Sequence, residues 1–188
     1  MEDTNKELLN PWFSMWIQPR ATIQQIIDDT PEYMVLPLAA LTGLVQTTVI
    51  FDTGSSYDWL FRLLLIVIGG PIVGIILLYA SSNLIHWIGE KSGGKASPEE
   101  IRAAIAWSNI PILWTSLLLS PLVILSISPN TTQFIDMIAT LWTSVVFITS
   151  LAQVQGFSIC DAVCNSLKAS FVLAIIGAAL FKAILHFV

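Results

Sequence analysis

An all-α integral membrane protein is predicted, and three observations predict it. The 188-residue chain is 55% hydrophobic and only 11% charged, with a mean hydropathy of +0.76, whereas a soluble domain carries about 25% charged residues. Residues 33–51, 63–89, 103–135 and 137–160 contain no Asp, Glu, Lys or Arg, and a helix crosses a bilayer with about 20 predominantly apolar residues. A fifth apolar segment, from about Asn165 to Phe187, carries Lys168 near its start and Lys182 near its end. The expected spans are 33–51, 60–86, 105–127, 133–152 and 166–187. They make a five-helix transmembrane domain over 33–188, behind a cytoplasmic N-terminal segment over 1–32.

The N-terminal segment reads PWFSMWIQPRATIQQIID over 11–28. Trp12, Phe13, Trp16 and Ile17, then Ile23, Ile26 and Ile27 after Pro19, recur at helical spacing. An amphipathic helix lying in the membrane interface has this pattern. A helix packed on the inner end of the bundle satisfies it equally. No secretory leader is expected, since the first long apolar run begins at residue 33.

The first span places Ala39, Gly43 and Thr47 four apart, and the second contains GGPIVG with Gly70 and Gly74. Small residues at this spacing let helices approach closely. Pro71 removes a donor from the second span and is expected to kink it. The third span opens on Ser97-Pro98-Glu99-Glu100, a capping box with proline at the first helical position. A helix from Pro98 to Ile127 is about 45 Å long at 1.5 Å per residue, against a hydrocarbon core of about 30 Å. Its first turns are therefore expected in water or headgroups, with Trp107 at the interface and a kink near Pro111. Ser108 or Asn109 would then satisfy the freed backbone. In the fifth span Ser166, Ser170, Ala174, Ala178 and Lys182 recur every four residues, an expected packing stripe. Gly156 is expected to allow the tight return between the last two spans.

Orientation follows from Lys and Arg. With the N-terminus inside, the inner side holds Lys6, Arg20, Lys91, Lys95, Arg102 and Lys168, and the outer side holds Arg62 and Lys182. The N-terminus is expected in the cytoplasm and the C-terminus outside. The 52–59 and 128–132 loops then face outward. No basic tract suits nucleic acid.

Three stretches taken together resemble a known family. PW…W..PR.TI..I before the first span, SPEEIRAAIAWSNIP entering the third and AQVQGFS after the fourth are similar to the Yip (Ypt/Rab-interacting protein) family. The resemblance covers about residues 11–187. It implies five spans and a non-enzymatic role in membrane organisation or traffic. Eukaryotic members act at Golgi and endoplasmic reticulum membranes with Rab GTPases. Their D-L-Y-G-P-type motif is not in this sequence, which is closer to the bacterial branch and implies a plasma (bacterial inner) membrane. The family supplies no catalytic residues.

Three sets of polar residues are candidates for function. Asp136 and Lys182 lie at similar depths near the outer ends of the last two spans and are expected to pair across the bundle. Intramembrane ionisable groups usually face the interior and can mark a pathway. In the other arrangement Lys182 snorkels and Asp136 sits among headgroups. Trp12, Trp16, Arg20, Arg102, Trp107, Asn109 and Gly156 are expected to form a cytoplasmic contact surface for lipids or a protein partner. Cys160, Cys164 and His86 have metal-ligating chemistry, but zinc sites favour tighter local pairs, and two reduced interfacial cysteines are the simpler reading. No metal or cofactor is expected. G-x-S-x-G, H-E-x-x-H and P-loop signatures are missing, and GEKSGGK at 89–95 reads as a flexible loop.

A scaffold or adaptor acting through its cytoplasmic face is thus the leading expectation. Small-residue stripes on the first, second and fifth spans would support a homo-oligomer. The rival is a small-solute or ion transporter using Asp136, Lys182, Gln46 and Asn109.

Overall fold

The computed structural model describes residues 8–52, 58–124 and 129–187. Lys6, most of the 52–59 loop and the start of the 128–132 loop lie outside them. Among the described residues the chain is helical with no strand. The elements are α1 (Pro11–Ser14), α2 (Pro19–Asp29), α3 (Val35–Asp52), α4 (Trp59–Leu64), a π-helical turn (Leu65–Gly69), α5 (Gly70–Lys91), α6 (Pro98–Ser108), α7 (Ile110–Ile124), α8 (Pro129–Gln155) and α9 (Ile159–Phe187).

Trp59–Lys91, Asn130–Gln155 and Ile159–Ala179 are each long and apolar enough to cross a bilayer. Val35–Thr48 is apolar but shorter, and the α6–α7 rod is broken at Asn109. The chain is a multi-pass membrane protein, and the expected total of five spans rests on including these two shorter rods.

Both proline effects have a local cause. Pro71 has no N–H to offer the Val67 carbonyl, and the ladder widens just ahead of it, where the Gly70 N–H donates to the Leu65 carbonyl, five residues back. A π-turn is one way a helix absorbs such a defect. The kink expected near Pro111 falls two residues earlier, at Asn109. The side chains of Ser108 and Asn109 both donate to the Ile105 carbonyl, each at 2.8 Å.

Two small-residue stripes read separately from the sequence turn out to face one another. A Cβ on Gly43 would stand 2.7 Å from the Gly74 Cα, and one on Gly70 would stand 2.9 Å from Thr47 Oγ1. The backbones of α3 and α5 therefore touch, which only glycine permits.

The stripe on α9 does not pack as expected. The buried residues there are Ala162, Asn165 and Ala169, while Ser170, Ala174, Ala178 and Lys182 are exposed. A four-residue step turns 400°, so each member advances about 40° and five members sweep about 160°. A strict every-four stripe thus winds off the face that carries its first residue.

The core has two parts. One gathers Met15, Ile23, Ile26, Leu38, Leu78 and Val146 around Ala103, Ala104, Ala106 and Trp107 of α6. The other gathers Ile85, Ile88, Ile101, Leu151, Ala162 and Ala169 where α5, α6, α8 and α9 meet. The first turns of α6 were expected to stand in water or headgroups. Within the protein Ile101, Ala103 and Ala104 are fully buried, because α2, α5 and α8 pack against α6. The capping box itself forms: the Ser97 N–H donates to Glu100 Oε2 at 2.6 Å, and the Glu100 N–H to Ser97 Oγ at 3.3 Å.

Candidate functional site at one end of the bundle

The N-terminal segment is bound to the bundle by side chains and backbone together. Asn10 caps α1, its Oδ1 accepting from the Trp12 N–H at 3.1 Å. Gln25 clasps the segment before α1 at both ends of its amide, accepting from the Leu9 N–H at 2.9 Å and donating to the Leu9 carbonyl at 3.1 Å. Buried Thr22 donates within reach of both Ser14 Oγ and the Gln18 carbonyl, each at 2.8 Å. Ile23 and Ile26 then enter the core at 0% and 4% exposure, and each buried isoleucine contributes about 1.5–3 kcal/mol. Of the two arrangements open to this segment, α2 takes the packed one. Its apolar face meets protein, while ahead of it Ile17 points outward and Phe13 lays one side of its exposed ring on Trp114 at 6.0 Å.

Trp107 is the centre of this docking. Its ring lies 5.6 Å from Trp12, edge to face, and 6.1 Å from Tyr33, stacked. Aromatic pairs in these geometries add about 0.5–1.5 kcal/mol beyond their burial. A buried indole N–H also needs an acceptor, and Nε1 donates to the Tyr33 carbonyl at 3.1 Å. That carbonyl is presented by a turn whose next residue, Met34, sits at φ 56°. A non-glycine residue in the left-handed region costs on the order of 1 kcal/mol, so the turn is held by its contacts.

AQVQGFS completes the same end. Gln153 donates to the Gln24 side chain at 3.1 Å, tying α8 to α2. Gly156 adopts φ +68°. The Phe157 N–H returns to the Ala152 carbonyl at 2.9 Å and the Gly156 N–H to the Gln153 carbonyl at 3.4 Å. This is a Schellman stop, with Phe157 packing on the second core part. Buried Gln155 fills a cradle between Gly89 and Gly94, where any added Cβ would collide with its amide. The GEKSGGK stretch is accordingly ordered: Gly93 at φ +86° ends α5 with the same motif, Gly94 N–H to Gly89 carbonyl at 2.8 Å.

The three stretches that carried the resemblance therefore converge on one end of the bundle. A family model, described as the Yip1 domain, matches residues 13–185. The chain belongs to the Yip1 family. No curated protein and no solved structure matches it.

In this Yip1-family chain the expected contact residues separate into three groups. Arg20 and Gly156 are exposed, and Trp12, Trp16 and Asn109 are half-buried. Trp107 is a correction. It was expected at the interface facing partners, and it is 0% exposed, because α1 and the Tyr33 turn cover it. Arg102 is also displaced. It lies along the side of the bundle, over the Tyr79 ring at 4.9 Å.

Asp136 and Lys182 are both exposed, and among the described contacts no ion pair joins them. The winding of the α9 stripe carries Lys182 off the packed face, and Asp136 shares the outer face of α8 with Thr140 and Ser144. Cys160 and Cys164 are exposed on α9. His86 places Nδ1 at 3.0 Å from the Ala96 carbonyl; a carbonyl only accepts, so Nδ1 carries the proton. Among the described residues no three His, Cys, Asp or Glu side chains gather where a metal would fit.

An apolar groove of about 490 Å³ is lined by Trp16, by Thr115 and by Ile138, Ala139 and Trp142 of α8. Asp136, Lys182, Gln46 and Asn109 are not among its walls. Two of the three stripes proposed for self-association, on α3 and α5, are consumed within the chain. Sequence reading missed Tyr33, Gln25 and Tyr79. Tyr33 acts through both its ring, stacked on Trp107, and its carbonyl, and the carbonyl leaves no mark on residue type. Tyr79 had a detectable signal, since it shares a helical face with Asn83 and Trp87.

Proposed function

We propose that this Yip1-family protein is a non-enzymatic membrane scaffold or adaptor whose α1–α2 end faces the cytoplasm and receives a protein partner. The observation that carries the reading is the way the N-terminal segment is held. Trp12, Met15, Ile23 and Ile26 fasten it inward, so that Leu8 at 80%, Phe13 at 63% and Ile17 at 80% exposure are displayed on a fixed frame. Large apolar side chains held outward beside charged neighbours such as Arg20 and Asp28 have the composition of a docking surface. The excess of Lys and Arg on this side supports the cytoplasmic orientation. Membrane organisation is the role this arrangement suits, with the plasma membrane as the location for a bacterial chain.

A photo-crosslinking residue at Ile17 in native membranes tests it. The expected result is a discrete protein adduct, identified by mass spectrometry, that is lost when Phe13 is changed to Ser. Adducts to lipid alone would remove the adaptor reading.

A further inference from the structure

The side wall formed by α5 and α6 carries a second feature that the end surface does not explain. Ile72, Ile76, Tyr79, Asn83 and Trp87 follow one another at steps of four, three, four and four residues, so they share one face of α5. All five are exposed. The face is apolar in its first half and polar in its second. Lys91, one turn beyond Trp87, stacks its ammonium 3.4 Å from that ring and marks the water side.

Arg102 reaches onto this face from α6. Its guanidinium lies 4.9 Å from the Tyr79 ring centroid, and its side chain is 14% exposed. Its one described ion pair, Nη2 to Glu99 Oε1, spans 3.8 Å, beyond hydrogen-bond reach. Among the described residues no hydrogen bond reaches the guanidinium, the Tyr79 hydroxyl or the Asn83 amide. A guanidinium has five N–H donors arranged to fit a phosphate, and here they are held in place and unspent. The ring beneath it fixes the plane of the group, and Glu99 at 3.8 Å offsets only part of the charge.

From this geometry we infer a binding site for the phosphate of an anionic phospholipid. Arg102 meets the phosphate oxygens, the Tyr79 hydroxyl and Asn83 amide supply further donors, and the acyl chains run along Ile76 and Ile72. Three facts select a lipid. The site lies on Trp59–Lys91, a helix long and apolar enough to span the membrane. The charge is complementary to phosphate. The apolar half of the face continues away from the water side, as the chains of a seated lipid must. Lys91 is about 18 Å from Tyr79 along the helix, too far to share one phosphate, and stands farther out on the water side of the site. The site concerns the wall of the bundle and stands independently of what the end surface binds.

Native mass spectrometry of the full chain, released from detergent after titration with phosphatidylglycerol, tests the site. One tightly retained lipid is expected. Arg102→Gln lowers its retention about tenfold, the scale of losing a charge-assisted bidentate contact. Asn83→Ala, at an exposed position outside the core, lowers it less and guards against a folding artefact in the first variant. Lys95→Gln, an exposed cation elsewhere, changes nothing. Diacylglycerol, with the same chains and no phosphate, is not retained. Equal retention by Arg102→Gln and Asn83→Ala, or equal binding of diacylglycerol, overturns the inference. So does a dimer, in place of a lipid adduct, that Arg102→Gln dissolves.

Discussion

α6 and α9 begin in the same way and end in opposite surroundings. Each follows a glycine-terminated turn, at Gly93 and at Gly156. Each is capped by a serine with an acid three residues on: Glu100 answers Ser97, and Asp161 accepts from Ser158 Oγ at 2.6 Å while its N–H donates back at 3.2 Å. Yet α6 is buried over most of its circumference, and α9 buries one narrow face and exposes Leu167, Phe171 and Ile175. The difference is that α2 folds back over α6, while among the described residues no element covers the outside of α9. Capping chemistry is local and says where a helix starts. What surrounds the helix is decided by a segment some eighty residues away.

The comparison can be broken most severely at Trp107. Trp107→Ala removes the ring that α1 and the Tyr33 turn pack against, and about 3–5 kcal/mol of stability should go with it. Unfolding by sodium dodecyl sulfate in mixed micelles would measure the loss. Next in size is Ala104→Leu. This residue is fully buried between helices, and overpacking there should cost about 1–3 kcal/mol in the same assay. The two caps should then behave alike despite their different surroundings. Ser97→Ala and Ser158→Ala are each expected to cost about 1 kcal/mol; a large gap between them would show that burial, not the cap, governs the start of α6. Smallest is Ala174→Leu on the exposed face of α9, which should fall within about 0.5 kcal/mol of wild type. A larger loss there would mean that the stripe packs after all.

Much of this contrast was legible in the sequence. Charge gaps located the apolar rods. Ser97 and Glu100 marked the start of α6, and Gly156 the stop before α9. The glycines at 43, 70 and 74 showed that two backbones come close, because no other residue type fits such an approach. What could not be read was which surface each helix turns toward a distant partner. Trp107 has the composition of an interfacial anchor, and only the covering by α1 and the Tyr33 turn makes it a core residue. Arg102 followed from a cytoplasmic helix start, but its long side chain reaches sideways to Tyr79. Asp136 and Lys182 matched in depth, and depth says nothing of azimuth. The accumulated 40° steps of α9 separate them. At the candidate site, the three motif stretches were visible one by one, while their convergence depends on contacts such as Gln153 with Gln24, which span most of the chain.

The central claim is that Trp107 locks the N-terminal segment to the bundle and so turns it into a fixed surface. Amide hydrogen exchange on the protein in lipid nanodiscs tests this most directly, comparing wild type with Trp107→Leu, which keeps an apolar side chain and removes the ring and its N–H. The account predicts that amides of residues 11–29 exchange about tenfold faster in the variant, equivalent to ~1.4 kcal/mol of local stability, while those of 70–91 keep their protection. Unchanged protection over residues 11–29, with Trp107 gone, would contradict it.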